Sequence, residues 1–332
     1  MSVYIIAEAG VNHNGDMELA KKLIDAAKDA NCDAVKFQTF NTASLVTQNA
    51  AKSEYQKINT ENNDTQFEML KELEIDKQQH IELIDYCRSR NIKFMSTPFD
   101  FQSVDLLSEL GFREFKISSG DLNNKPFLQY IAKNADSIIL STGMGTLDEI
   151  REAVKWIEES NSQCCLALLH CTSSYPCNFN EINLNAITTM KKEFGNEIGF
   201  SDHSSGIEAS LGAVALGAVI IEKHFTLDKT MPGPDHSASL CPEELKALVL
   251  GIRNIELSMG DGIKKPQKSE ISNIKSSRKS IVAMKNIKKG DLIDSEMITV
   301  KRPGNGLPPE LLEKYINKIS ENDYKKDDLF YG

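Results

Sequence analysis

The sequence has little that would suit a membrane, a nucleic acid or an oxidising compartment. Its 332 residues carry a formal net charge of −10, which argues against nucleic-acid and anionic-membrane partners because both bind basic surfaces. No apolar run approaches the roughly 18 residues that span a bilayer, and because the first strand pattern begins close to Met1 we expect no signal peptide. The seven cysteines form no CxxC pair, so we expect a reducing, cytoplasmic location.

The chain does contain an alternation of short apolar runs and helical patterns over most of its length. Runs rich in β-branched residues predict eight strands, at 3–9, 34–39, 93–97, 114–118, 137–142, 165–171, 198–202 and 219–224. Apolar residues at helical spacing lie between most of these runs, and 242–259 follows the last run as an eighth helix. This alternation predicts an α/β fold, the (β/α)8 TIM barrel.

Two regions depart from the alternation. Residues 41–74, after the second strand, are polar and partly helical, and we expect them to overhang the barrel mouth as a solvated excursion or as a lid. We place the barrel at 1–262, a polar, lysine-rich linker at 263–277 and a second domain of short strands and turns at 278–332. A unit of about 55 residues is marginal alone and would gain stability by packing on another surface.

Polar side chains collect at the carboxyl ends of the predicted strands, where parallel barrels carry their chemistry. His203 and His224 end two neighbouring strands, and two neutral imidazoles can hold a divalent metal while leaving most of its coordination sphere open. Lys36 and Lys116 lie near the ends of two others, where an ammonium group can bind phosphate or carboxylate or form a Schiff base. Further polar residues at these ends are Glu8, Gln38, Ser96, Thr97, Ser118, Ser119, Ser141, Thr142, His170, Ser201 and Glu222.

Other polar residues near the strand ends admit different interpretations. Lys223 is adjacent to His224, so we expect it to point away from the barrel interior and to be structural. His80 lies in a polar helical segment and is interpreted as a surface residue. His13 follows the first strand, where it could bind substrate or cap the next helix. Asp235 follows the eighth strand, and a carboxylate there can accept two hydrogen bonds from vicinal sugar hydroxyls.

Nine segments, in order along the chain, together resemble the sialic acid synthases, the bacterial family that makes nine-carbon nonulosonic acids. The segments are 7–15 (AEAGVNHNG), 35–39 (VKFQT), 96–99 (STPF), 115–120 (FKISSG), 141–144 (STGM), 201–203 (SDH), 222–226 (EKHFT), 233–236 (GPDH) and 301–306 (KRPGNG). The C-terminal unit resembles the antifreeze-like (SAF) domain of that family. Since the match covers nearly the whole chain, it is specific to this family and not to barrels in general.

The resemblance implies a transferase that condenses phosphoenolpyruvate with open-chain N-acetylmannosamine, releasing phosphate and giving N-acetylneuraminate. The alternative acceptor is 2,4-diacetamido-2,4,6-trideoxymannose, which would give N,N'-diacetyllegionaminate. A phosphorylated acceptor is disfavoured because the sequence offers no second basic cluster. A Schiff-base aldolase using Lys36 or Lys116, and a non-catalytic sugar- or ice-binding protein, remain as remote alternatives.

The resemblance also implies roles for individual residues. His203 and His224 would hold Mn2+, with Mg2+ or Co2+ as alternatives, and Glu8 would be the acid and base. The implied phosphoenolpyruvate-binding residues are Lys36, Thr97, Lys116, Ser119, Ser141 and Ser201. The implied sugar-binding residues are Gln38, Tyr175, Asp235 and, across a domain-swapped homodimer, the partner subunit's Arg278.

One position departs from the family pattern. The family usually has Gly-Glu after the fourth strand, whereas this chain has Gly120 and Asp121, whose carboxylate is one methylene shorter. Either the site accommodates the shorter side chain where it meets sugar or metal-bound water, or the acceptor differs.

Overall fold

The structure, a computed structural model, describes residues 2–60 and 65–331, so residues 61–64 of the predicted insertion lie outside the described residues. Eight parallel strands form its larger part: β1 (Tyr4–Gly10), β2 (Ala34–Thr39), β3 (Lys93–Pro98), β4 (Glu114–Ile117), β5 (Ser137–Ser141), β6 (Cys165–Cys171), β7 (Glu197–Asp202) and β8 (Ile220–His224). Their order is β3-β2-β1-β8-β7-β6-β5-β4, and β3 contacts β4, which closes the barrel. The predicted TIM-barrel fold is therefore confirmed.

Helices follow the strands and form the outer layer of the barrel. They are α1 (Met17–Asp29), α5 (Lys77–Arg90), α6 (Phe101–Glu109), α7 (Lys125–Asn134), α8 (Leu147–Ser160), α9 (Asn185–Phe194), α10 (Glu208–Ala215) and α11 (Pro242–Ser258). The insertion after β2 contains α2 (Thr42–Leu45), α3 (Glu54–Thr60) and α4 (Gln66–Lys71). Within the described parts of the chain, none of the helices is both long and apolar enough to cross a membrane.

Local sequence explains where these helices start and stop. The side chain of Asp16 accepts hydrogen bonds from two backbone N–H groups of the first turn of α1, which otherwise lack partners. Thr146 and Glu149 form a capping box at the start of α8. At the other end of α5, Asn91 adopts a left-handed conformation (φ 58°) that terminates the helix before β3.

The core has two layers because strand side chains alternate between the barrel interior and the helices. The outer layer packs residues such as Ile5, Val35 and Leu23 between strands and helices. The interior layer is a compact apolar cluster formed by Ile6, Ala34, Met95, Ile139, Ala167, Leu169 and Ile220. This plug fills the lower interior, so only the positions nearer the carboxyl ends of the strands are left for polar side chains.

The chain divides into two compact units, Met1–Met259 and Gly260–Gly332. The second unit contains α12 (Ile271–Ser277), β9 (Ser280–Ala283), β10 (Ile298–Lys301) and α13 (Leu312–Tyr315). β9 and β10 pair antiparallel over a small core that includes Ile281, Ile298 and Phe330. The residues predicted as a linker, 263–277, include α12 and group with this unit.

Candidate active site

Strand alternation carries the polar residues of the site into the barrel interior directly above the apolar plug. Glu8 lies two residues after the plug residue Ile6 on β1, and Glu222 lies two residues after the plug residue Ile220 on β8. In the same way, Lys36 on β2 and Ser141 on β5 each lie two residues after a plug residue of the same strand, so their side chains point into the interior above it. The signal that located the site in the sequence is therefore this period of two at strand ends.

A cavity of about 450 Å³ opens at this end of the barrel. It brings together the predicted residues Glu8, Lys36, Gln38, Thr97, Lys116, Ser119, Ser141, Tyr175, Ser201, His203, His224 and Asp235. Asp121 is not among the residues that line this cavity. Its carboxylate accepts hydrogen bonds from Ser118 and Asn124 in the loop after β4. Arg278 is exposed at the end of α12 in the second unit, so its role toward a partner subunit stays a prediction.

The floor of the cavity is a buried network of two lysines and two glutamates. Lys36 Nζ lies 2.7 Å from Glu8 Oε2 and 3.7 Å from Glu222 Oε2. Lys116 Nζ lies 3.4 Å from Glu222 Oε1. All four side chains are at least 94% buried, since their exposed fractions are 6% or less. When all four are ionised, two positive and two negative groups therefore face one another in a low-dielectric environment, and we call these four residues the charge quartet.

Three hydroxyl groups form hydrogen bonds with members of the charge quartet. Lys36 Nζ donates to Thr97 Oγ1 at 2.8 Å, and Lys116 Nζ donates to Ser141 Oγ at 2.7 Å. Ser201 Oγ donates to Glu222 Oε1 at 3.0 Å. Ammonium and hydroxyl donors converging on one cavity suit an anion that carries several oxygen atoms, such as a phosphate or a carboxylate.

The two carboxyl groups of the charge quartet differ in their affinity for protons. Burial raises the pKa of Glu8 to about 7; Lys36 opposes this rise and Glu222 adds to it. Burial also acts to raise the pKa of Glu222, but the ammonium groups of Lys116 and Lys36 outweigh it and lower that pKa to about 2. Glu222 therefore remains ionised at neutral pH, while Glu8 can gain or lose a proton there.

The two strand-end histidines face each other across the cavity, with ring centroids 5.5 Å apart. The Nδ1 atom of His203 lies 3.0 Å from the carbonyl oxygen of Thr172, so this nitrogen carries a proton, and Nε2 can donate an electron pair when the ring is neutral. Burial acts to lower the pKa of His203, but Cys171 and the Thr172 carbonyl outweigh it and raise that pKa. His224 Nδ1 is buried without a hydrogen-bond partner among the described residues, and Asp235 Oδ2 is 4.0 Å away. Burial holds the pKa of His224 well below its usual value, which favours a neutral imidazole.

These features fit a divalent metal that would have open coordination positions. A backbone carbonyl holding Nδ1–H of a histidine is the usual support of a metal-binding imidazole, and His203 has one in Thr172. Within residues 2–60 and 65–331, no three His, Cys, Asp or Glu side chains are grouped as a metal site. The chain could therefore offer two imidazoles, and the remaining positions would be taken by water or substrate, as in catalytic rather than structural sites.

The structure tests the interpretations of Lys223 and His80 that were based on sequence. Lys223 is buried against Asp202, 2.9 Å from Oδ2, as expected for a residue that points away from the interior. The interpretation of His80 as a surface residue is wrong: its side chain is fully buried, with Nε2 2.8 Å from Thr39 Oγ1 and Nδ1 2.8 Å from the Asp76 carbonyl oxygen. The polar composition of α5 does not indicate this, because one partner of the imidazole is the N-cap residue Asp76 and the other, Thr39, belongs to β2.

Sequence reasoning missed two parts of the site. Glu222 was recognised as a polar strand-end residue but was given no role, although its spacing from His224 places both on the same face of β8. The insertion after β2 also contributes cavity-lining side chains, among them Leu45, Val46, Met69 and Leu70. The excursion is therefore not simply solvated.

Comparison with known proteins identifies close relatives of the whole chain. The NeuB family profile matches residues 23–264, and the SAF domain profile matches residues 278–331. N,N'-diacetyllegionaminic acid synthase from Campylobacter jejuni is 52% identical, covering 98% of each chain. The synthase of the same name from Legionella pneumophila is 45% identical and covers 97% of this chain and 92% of its own. The crystal structure of N-acetylneuraminic acid synthetase from Leptospira borgpetersenii, in complex with citrate, has a TM-score of 0.72 and 39% identity, covering 82% of this chain and 90% of that one.

Proposed function

The chain belongs to the NeuB family, and on that basis we propose that it is an N,N'-diacetyllegionaminic acid synthase. In this proposal it condenses phosphoenolpyruvate with open-chain 2,4-diacetamido-2,4,6-trideoxymannose and releases phosphate. The observation that carries the choice of acceptor is the 52% identity, over nearly the full length of both chains, to a synthase of that name. The relatives thus favour the acceptor that sequence analysis gave as the alternative over N-acetylmannosamine.

We assign the phosphoenolpyruvate subsite to the lysines of the charge quartet and to the hydroxyl groups around them. Lys36 and Lys116 are the buried cations of the cavity, and Thr97, Ser141 and Ser201 already bond to members of the quartet. Ser119 Oγ accepts a hydrogen bond from Gly143 N at 2.9 Å, which fixes its position on the same side. The phosphate and carboxylate of the substrate would take over contacts that Glu8 and Glu222 make with the lysines.

Glu8 is the proposed acid and base. Its pKa of about 7 lets it hold a proton in one step and accept one in the next near neutral pH. As C3 of phosphoenolpyruvate bonds to the aldehyde carbon, Glu8 would donate its proton to the aldehyde oxygen. The carboxylate so formed would then accept a proton from the water that adds at C2. As the tetrahedral product collapses to the ketone, the C2–O bond to phosphate would break and the proton of the C2 hydroxyl would pass to the departing phosphate. Protons and electrons balance over these steps.

The acceptor sugar would lie beside His203 and His224, in contact with the neighbouring cavity residues described below. A divalent metal held by His203 and His224 would supply Lewis-acid polarisation of the aldehyde oxygen. The ring of Tyr175 contacts both imidazoles, tilted against His203 at a centroid distance of 4.1 Å and edge-on to His224 at 5.7 Å. Together with Gln38 and the buried carboxyl of Asp235, this ring would orient the sugar and keep water from the imidazoles.

The direct test measures phosphate release from phosphoenolpyruvate with Mn2+ and each acceptor offered separately. We expect release with the diacetamido sugar, at a kcat/KM at least tenfold above that with N-acetylmannosamine, and loss of release with EDTA that added Mn2+ reverses. A preference for N-acetylmannosamine would instead make the protein an N-acetylneuraminate synthase. With pyruvate in place of phosphoenolpyruvate, turnover that survives EDTA and an adduct trapped by borohydride at Lys36 or Lys116 would favour a Schiff-base aldolase.

A further inference from the structure

We propose that the segment after β2 forms an apolar wall that selects acceptors carrying methyl groups in place of hydroxyls. We define the apolar wall as Leu45, Val46, Met69 and Leu70. All four line the cavity that also contains the charge quartet and the two histidines. This inference rests on the proposed function, since it concerns how the same site chooses its sugar.

The apolar wall is a packed structure and not a set of loose side chains. Met69 and Leu70 are buried, with 6% and 9% of their surface exposed, and they belong to an apolar cluster with Val11 and Phe40. Leu45 and Val46 pack against this cluster and are half-buried, so each keeps surface available to the cavity. Since α2 contacts α4, the two halves of the apolar wall support each other.

The insertion that carries the apolar wall is hydrogen-bonded to the loop proposed to hold the acceptor. Asn59 in α3 donates from Nδ2 to the carbonyl oxygen of Pro234 at 2.6 Å. Pro234 directly precedes Asp235, whose carboxylate lies 4.0 Å from His224. The insertion is therefore tied to the part of the cavity that contains the sugar-binding residues, whereas the phosphate-binding groups lie on the floor.

The two acceptors differ in the groups that an apolar wall beside the sugar would contact. In the diacetamido sugar C6 is a methyl group and C4 carries an acetamido group that ends in a second methyl, whereas in N-acetylmannosamine C6 is a hydroxymethyl group and C4 carries a hydroxyl. Methyl groups gain by leaving water for an apolar surface, while a hydroxyl placed there loses hydrogen bonds with water. A hydrophobic pocket discriminates by roughly 10–200-fold for such small differences, which is enough to set acceptor preference.

The test makes the apolar wall polar without changing its size much. We expect Val46→Thr and Met69→Gln each to lower the ratio of kcat/KM for the diacetamido sugar to that for N-acetylmannosamine by about tenfold. The KM for phosphoenolpyruvate should stay within twofold. Met190→Gln is the matched control: Met190 is equally buried in α9 but does not line this cavity, so its loss should leave the ratio unchanged.

The outcomes separate this inference from the proposed function. If the parent enzyme prefers the diacetamido sugar but neither Val46→Thr nor Met69→Gln moves the ratio, the role of the apolar wall is refuted and the proposed function stands. If the parent enzyme prefers N-acetylmannosamine, both fail. Val46→Thr adds one hydroxyl at a half-buried position, so it provides the measurement even where Met69→Gln does not fold.

Discussion

Within the charge quartet, Glu222 is the carboxylate that lies within 3.7 Å of the Nζ atom of Lys36 and within 3.4 Å of that of Lys116. Replacing it with glutamine, which has nearly the same shape, would leave Lys36 and Lys116 buried with only Glu8 as a counterion. We therefore expect Glu222→Gln to destabilise the unliganded protein strongly. Phosphoenolpyruvate should offset part of this loss, because its negative groups would occupy the position of the missing charge.

The magnitude follows from the distances. At an effective dielectric constant of about 20, charges 3.4 Å and 3.7 Å apart attract by about 4–5 kcal/mol each. Removing Glu222 also removes the cost of burying it, so the net loss is smaller than the sum of the two attractions. Breaking a buried ion pair by deleting one partner typically costs about 3–5 kcal/mol. For a unit of this size such a loss lowers Tm by about 6–20 °C, at about 2–4 °C per kcal/mol.

The assay is thermal unfolding of parent and variant, with and without saturating phosphoenolpyruvate. The matched control is Glu109→Gln, which breaks an exposed ion pair with Lys77 at 2.7 Å and should change stability by less than about 1 kcal/mol. We expect a larger ligand-induced rise in Tm for Glu222→Gln than for the parent. A Tm within 2 °C of the parent, with an equal ligand shift, would refute the charge-balance reasoning.

Two further predictions concern histidines. His203→Ala and His224→Ala should each abolish turnover and the binding of Mn2+ measured by calorimetry. The control is His170→Ala, because His170 lies outside the main cavity, and this variant should retain both. Mn2+ binding that persists in the first two variants would contradict the metal assignment. Burial lowers the pKa of His13 and of His236 from 6.5 to about 4, so each neutral imidazole stabilises the fold above pH 6.5. That contribution, on the order of 3 kcal/mol each, should fade as pH falls from 6.5 to 4, and a Tm constant over this range would argue against it.

The barrel and its polar mouth were predictable because both follow from local patterns. The predicted strand at 3–9 is β1 (Tyr4–Gly10), and the predicted strand at 34–39 coincides with β2. Once eight parallel strands are assigned, barrel geometry brings their carboxyl ends together. This is why residues far apart in the sequence, such as Lys36 and His203, could be assigned to one cavity before any distance was known.

What the sequence could not provide were contacts that depend on barrel closure and on packing between elements. The position of Glu222 between two lysines requires β8, β2 and β4 to face one interior, and no local pattern encodes its distances. His80 was misplaced because its partner Thr39 belongs to β2. The sequence does not indicate the apolar wall, because Met69 and Leu70 are two apolar residues in a polar insertion and reach the cavity only in the folded chain.

The position of the insertion between β2 and α5 bears on how enzymes of this architecture diverge. The groups proposed to bind phosphoenolpyruvate lie at the carboxyl ends of barrel strands, where side chains are buried and substitutions disturb the packing. The apolar wall belongs to one continuous stretch of chain that leaves the barrel and returns to it, and such excursions tolerate sequence change. Enzymes of this architecture could therefore change their acceptor sugar through substitutions in this one insertion, while the residues that carry out the reaction stay the same.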